Sequence, residues 1–182
     1  MAISYKTPEQ IASMREAGRW VHKALQQCRA ACEPGTTTAR IDAEAEKILA
    51  ECGGMGLFKN YPTYREGEGF PAATCISVNE QVVHGIPGDR VVNDGDIVSI
   101  DFGVKIDGWC GDAATTVMVG RVGPEVQRLC EVTEHVLRIA LENVRPGVRW
   151  SQVAKKMENY ARKAKLGIVK EFVGHGIGST LH

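Results

Sequence analysis

Aromatic side chains make up only 6% of the 182 residues, and charge of one sign is missing, since 22 Lys and Arg balance 22 Asp and Glu. A neutral balance gives no electrostatic hold on a polyanion, so nucleic acid is not expected as a partner. No apolar run approaches the ~18 residues that would cross a bilayer, and the opening MAISYKTPEQIASMREAG has no apolar core of a secretion signal. No membrane association is expected, and the chain is placed in the cytoplasm. A disulfide framework is missing as well, although there are six cysteines. Cys28 and Cys32 continue the helical stripe Ile11, Met14, Val21, Leu25. Cys52 closes the stripe Ile41, Ala45, Ile48, Leu49, and Cys130 follows Leu129. These four read as small buried hydrophobes, in keeping with reduced thiols. Only Cys75 and Cys110 fall in segments with other chemistry.

What is present is an ordinary globular composition, 43% hydrophobic and 24% charged, long enough for one domain spanning 1–182. Thr7-Pro8-Glu9-Gln10 has the residues of a capping box with proline at the first helical position, so a helix is expected from there to about Cys32. A second helix should stop at Gly53-Gly54. The stretch MGLFKNYPTYREGEGFP then reads as a long loop, a kind of segment that often carries function. Strands are expected at Thr74–Val78, Ile97–Val104 and Ala113–Val119, helices near Glu125–Val144 and Ser151–Leu166, and a last strand at Ile168–Val173.

The chain also repeats itself. EPGTTTARIDAEAEKILAECG and RPGVRWSQVAKKMENYARKAKLG each open on Pro-Gly, place an apolar residue six after that glycine (Ile41, Val153) and a glutamate eleven after it (Glu46, Glu158), and stop at glycine. Each leads to a His-Gly-Ile, at His84 and at His175. A duplicated unit accounts for four coincidences in one order, with copies at about 1–120 and 121–182. It predicts an α+β fold with pseudo-twofold symmetry that gathers both His-Gly-Ile segments near one axis. Copy one continues through a hairpin to Gly120, whereas copy two ends five residues after Ile177. The matching hairpin is therefore expected to be missing from the second half.

In SIDFGVKIDGWCGD, Asp107-Gly108 is a strong signal for a two-residue hairpin turn. That turn pairs Gly103 with Asp112 and Asp101 with Ala114, so Asp101 and Asp112 become diagonal neighbours on one face. The opposite face carries Val98, Ile100, Phe102 and Val104. Two converging anions repel, and burial worsens the repulsion unless a cation sits between them. The plain alternative is an acidic pair on a solvated sheet face. Among the histidines, His22 and His135 lie on helices with no ligand set around them. His84, His175 and His182 follow or lie within glycine-flanked turns, where imidazole can join the carboxylates to hold a borderline ion such as Mn, Fe, Co or Zn. GHGIGST is not a phosphate loop, because no helix opens after its glycines.

Together, CISVNEQVVHGIPGDR, NDGDIVSIDFGVKIDGWCGDAATTVMVG and FVGHGIGSTLH resemble the type I methionine aminopeptidases of the pita-bread, creatinase-like fold, over essentially the whole chain. The resemblance implies two divalent metal ions (Co, Mn, Fe or Zn), with Asp101, Asp112 and His175 as metal ligands. It implies His84 near the amino end of the substrate and the leaving group, His182 hydrogen-bonded to the scissile carbonyl, and a methionine pocket that includes Cys75, Phe70 and Tyr64. The activity implied is removal of the N-terminal methionine from nascent chains with a small second residue, at the ribosome, by a monomer, using a metal-bound water of lowered pKa. The family's other two ligands are glutamates beyond His182, so the 182 residues are expected to bind metal weakly and to be almost inactive. The alternatives are a proline-specific aminopeptidase of the same fold, and a non-catalytic binding protein that keeps the shape.

Overall fold

The computed structural model describes residues 4–63 and 67–182; Tyr64, expected in the pocket, lies outside them. The elements run α1 (Pro8–Ala31), α2 (Thr38–Cys52), β1 (Met55–Gly56), β2 (Thr74–Val78), β3 (Ile97–Ile106), β4 (Trp109–Met118), α3 (Pro124–Asn143) and α4 (Trp150–Lys163). They fall into two compact units, Met1–Arg121 with His175–His182, and Val122–Gly174.

In the first unit α1 starts where its sequence says it should. Gln10 N–H donates to Thr7 Oγ1 at 3.3 Å, and Thr7 N–H donates to Gln10 Oε1 at 2.9 Å, closing the capping box in front of Pro8. Helix α2 is capped by Thr37 and released by Gly53 in the left-handed region, φ 62°. Strand β3 is central: it pairs antiparallel with β4 along its whole length, and with β2 and β1 over successive parts. One face of β3, Val98, Ile100, Phe102 and Val104, is fully buried with Val21, Leu25 and Cys28 of α1 and Ile41, Ala45 and Ile48 of α2. Each large side chain in that layer contributes roughly 1.5–3 kcal/mol. The buried stripe of α1 begins later than its pattern suggests, since Ile11 is exposed. Cys28 and Cys32 are buried as expected; Cys52 and Cys130 are only half-buried.

The close fit of α1 on β4 depends on Gly111. A Cβ there would stand 2.7 Å from the carbonyl carbon of Ala17 and 2.9 Å from the nitrogen of Gly18, both backbone atoms that cannot turn away. Glycine lets the helix lie on the strand one residue before Asp112.

In the second unit α3 and α4 pack on each other around Ala140, Val153 and Ala161. Arg128 donates to the carbonyl of Ala164, Lys156 bonds Asn143, and His135 lies 4.4 Å from the ring of Tyr160. The strand expected at Ile168–Val173 is not formed, and Phe172 and Val173 are exposed. A strand needs a neighbour for its N–H and C=O groups, and among the described residues this unit contains none.

Candidate metal centre and active-site cleft

The hairpin forms in the expected register. Asp107 and Gly108 take φ values of 48° and 84°, the pair of positive angles that such a turn demands, and Gly103 faces Asp112 while Asp101 faces Ala114. Asp101 and Asp112 thereby meet on the face of the sheet turned away from α1 and α2, within hydrogen-bonding reach of each other. Burial, and then the charge of Asp112, push the Asp101 carboxyl up to about 7. Burial also raises Asp112, against the pull of His175. Without a cation, both carboxyls are therefore held above the ordinary carboxylate range, because two half-buried carboxylates this close resist ionising together.

Cys75 stands directly across from Asp101 on β2. Burial, reinforced by the charges of Asp101 and Asp112, pushes its thiol up to about 12. It is a protonated, apolar wall at neutral pH and not a nucleophile.

His175 reaches the pair from the segment after α4. The N–H of Cys110 donates to the carbonyl of Gly178 at 2.8 Å and fastens that segment to β4. His175 Nε2 lies 3.8 Å from Asp112 Oδ2, and its Nδ1 lies 3.2 Å from the carbonyl of Gly176. A carbonyl only accepts, so this contact places a proton on Nδ1 and leaves Nε2 as the nitrogen that faces Asp112.

His84 sits at φ 58°, an uncommon angle for a residue with a side chain. The next residue holds it there. The carbonyl of Gly85 accepts from Ile76 N–H at 2.8 Å, and its own N–H donates to Ser77 Oγ at 3.1 Å. His182 lies with its ring 4.4 Å from that of His175, and its Nδ1 is 3.3 Å from the hydroxyl of Tyr61.

These groups line one cleft of about 580 Å³. Its polar lining includes Asp101, Asp112, His84, His175 and His182, and its apolar lining Phe58, Phe70, Cys75, Ile86 and Leu181, with Tyr61 among them. Phe70 and Cys75 are buried together with Ala72, and Phe58 packs against them. Phe58, Ile86 and Leu181 were not singled out from sequence. Phe58 lies in the long loop marked as a functional candidate, and Ile86 belongs to the first His-Gly-Ile, but an isolated leucine such as Leu181 carries no signal.

The pattern of Metallopeptidase family M24 matches residues 12–182. The chain belongs to metallopeptidase family M24. Within it, methionine aminopeptidase 1 of Bacillus subtilis (strain 168) is 41% identical over 180 residues, which cover 99% of this chain and 70% of that protein. The crystal structure of a methionine aminopeptidase from Thermotoga maritima superposes with a TM-score of 0.93 at 36% identity, covering 100% of this chain and 71% of that one. An X-Pro aminopeptidase from the same organism superposes at 0.77 with 23% identity, over 97% of this chain and 47% of that one, and shares the fold. The architecture is thus the pita-bread fold of the M24 peptidases.

The donor set suits a divalent ion of this family. Two carboxylates and an imidazole are the ligand types of a borderline transition metal. Among the described residues no group of three or more His, Cys, Asp or Glu side chains stands close enough together to hold a metal ion as placed. Asp101 and Asp112 could offer a cation two carboxylates, and His175 stands beside them with Nε2 3.8 Å from Asp112 Oδ2. Among the described residues, no helix is long and apolar enough to cross a membrane.

Proposed function

We propose that this M24 chain is an aminopeptidase that removes N-terminal methionine from newly made cytoplasmic polypeptides whose second residue is small. The observation that supports it most is the half-buried pair Asp101 and Asp112 in a cleft that is also lined by Phe58, Phe70 and Cys75. The resemblance to relatives named methionine aminopeptidase agrees with it.

Asp101, Asp112 and His175 would hold the metal. When bound, a divalent ion supplies Lewis acidity toward a peptide carbonyl and acidifies water at neutral pH. The chain's own groups do the rest. Asp101, held above the ordinary carboxylate range, gives up its proton as the pair takes up the cation. The methionine side chain enters between Phe58, Phe70 and Cys75, where a flexible thioether packs well on aromatic rings. That wall excludes water from one side of the scissile bond. His182 donates a hydrogen bond to the carbonyl oxygen, and His84 serves the amino end and the leaving nitrogen, each at a worth of about 2–4 kcal/mol in the transition state. With three side-chain donors, open coordination positions remain, so we propose binding of one ion in preference to two, and slow turnover.

Hydrolysis of a Met-Ala-Ser peptide with added Co²⁺ or Mn²⁺ tests this reading. Release of methionine, with no glycine released from a Gly-Pro-Ser peptide, supports it. Cleavage confined to proline peptides would replace it with a proline-specific aminopeptidase, and no cleavage of any peptide would leave the binding-protein alternative.

A further inference from the structure

The contact between Tyr61 and His182 assigns a task to a residue of the long loop. Tyr61 is fixed at its backbone: its N–H donates to the carbonyl of Phe58 and its carbonyl accepts from Phe70 N–H, both at 2.8 Å. At His182, Thr180 Oγ1 donates to the main-chain oxygen at 2.9 Å. Two groups lie against its ring: that of His175, with centroids 4.4 Å apart, and the Tyr61 hydroxyl, 3.3 Å from Nδ1, with the two rings edge to face at 5.9 Å. Of the two, Tyr61 is the one that meets Nδ1.

We propose that Tyr61 is a positioning residue that donates its O–H to His182 Nδ1 and so keeps the proton of the neutral imidazole on Nε2. The inference rests on the role given to His182 above, because only an Nε2–H can donate to a peptide carbonyl oxygen. With the opposite tautomer, Nδ1–H would donate to the phenol and Nε2 would present a lone pair to a carbonyl that is itself an acceptor. A phenolic O–H is a good partner for this task. It stays protonated throughout the range in which imidazole is neutral, and the planar ring holds it at a fixed height in the cleft. Tyr61 therefore acts through His182 and does not itself touch the scissile bond.

The test is Tyr61→Phe, which keeps the edge-to-face ring contact and removes only the hydroxyl. Long-range ¹H–¹⁵N correlation spectra of the ¹⁵N-histidine-labelled, metal-free full chain at pH 8 report the tautomer of each ring, with His182 assigned by its loss in His182→Gln. We expect a pure Nε2–H form in the parent, and in Tyr61→Phe a shift of the Nδ1 resonance with a mixture of tautomers. In parallel, kcat on Met-Ala-Ser should fall about tenfold, the loss of one hydrogen bond's worth of alignment, with KM within about twofold. An Nδ1–H tautomer in the parent, or ring resonances and kcat unchanged in Tyr61→Phe, would overturn the proposal. If the parent chain cleaves no peptide, the functional reading fails while the spectra still decide the positioning of His182.

Discussion

Replacing Gly85 by alanine tests how His84 is delivered to the cleft. A Cβ on Gly85 would run into the carbonyl oxygen of Ile76 and stand 2.7 Å from its carbonyl carbon and 2.9 Å from Ser77 Cα, all of them backbone atoms of β2. No rotamer relieves such a clash, so the segment must retreat by about an ångström, as overpacked positions do. That retreat breaks the bond from Ile76 N–H to the Gly85 carbonyl and the bond from Gly85 N–H to Ser77 Oγ. Ser77 is buried, so the freed groups lose their partners without gaining full access to water. At ~1 kcal/mol for each bond, and somewhat more for each group left unsatisfied, the loss comes to about 3 kcal/mol. The second His-Gly-Ile provides the control. A Cβ on Gly176 meets nothing within 4 Å, so Gly176→Ala should cost under ~0.5 kcal/mol. Urea unfolding followed by circular dichroism measures both, and a 3 kcal/mol loss lowers the midpoint by roughly 1 M or more. Equal midpoints for Gly85→Ala and Gly176→Ala would refute the reasoning, because the two glycines differ in the backbone packed against them.

Three further outcomes follow from the cleft. His84→Ala should leave Mn²⁺ binding as in the parent and lower kcat on Met-Ala-Ser by about 30- to 1,000-fold, which is 2–4 kcal/mol; an equal loss of metal in titration calorimetry would make His84 a ligand. Asp101 holds its proton up to about pH 7 when folded, against a usual carboxyl value of 3.8. In that window the folded state binds more protons than the unfolded state, so the metal-free chain loses stability as pH rises from about 4 to 7, on the order of 4 kcal/mol at most. Urea midpoints in EDTA at pH 5 and pH 8 should show the decline, and Asp101→Asn should flatten it. Cys75, with its thiol pushed up to about 12, should resist iodoacetamide at pH 8 in the folded chain and react on unfolding, as read by mass spectrometry of the alkylated peptides.

The hairpin was legible because two local signals agree: Asp107-Gly108 demands a tight turn, and the alternation of Val98, Ile100, Phe102 and Val104 fixes which face is buried. With turn and face set, the meeting of Asp101 and Asp112 follows from the pleat alone. The capping box of α1 and the glycine stop of α2 were legible for the same reason, being written in contiguous residues. Ile168–Val173 misled because its β-branched residues suit a strand, while strand formation depends on a partner elsewhere in the chain. Phe58 and Leu181 escaped notice because their place in the cleft is set by tertiary packing of a loop and a terminal segment, neither of which has a period to read. The link between Tyr61 and His182 spans 121 residues, and no local pattern announces it.

The claim that Asp101, Asp112 and His175 form a metal site is tested most directly by titrating the metal-free chain with Mn²⁺ in a calorimeter, beside Asp101→Asn, Asp112→Asn and His175→Ala. The account predicts one weak site in the parent that releases a proton as it fills, no detectable site in either asparagine variant, and weaker binding in the histidine variant. Binding in Asp101→Asn or Asp112→Asn equal to that of the parent would contradict it.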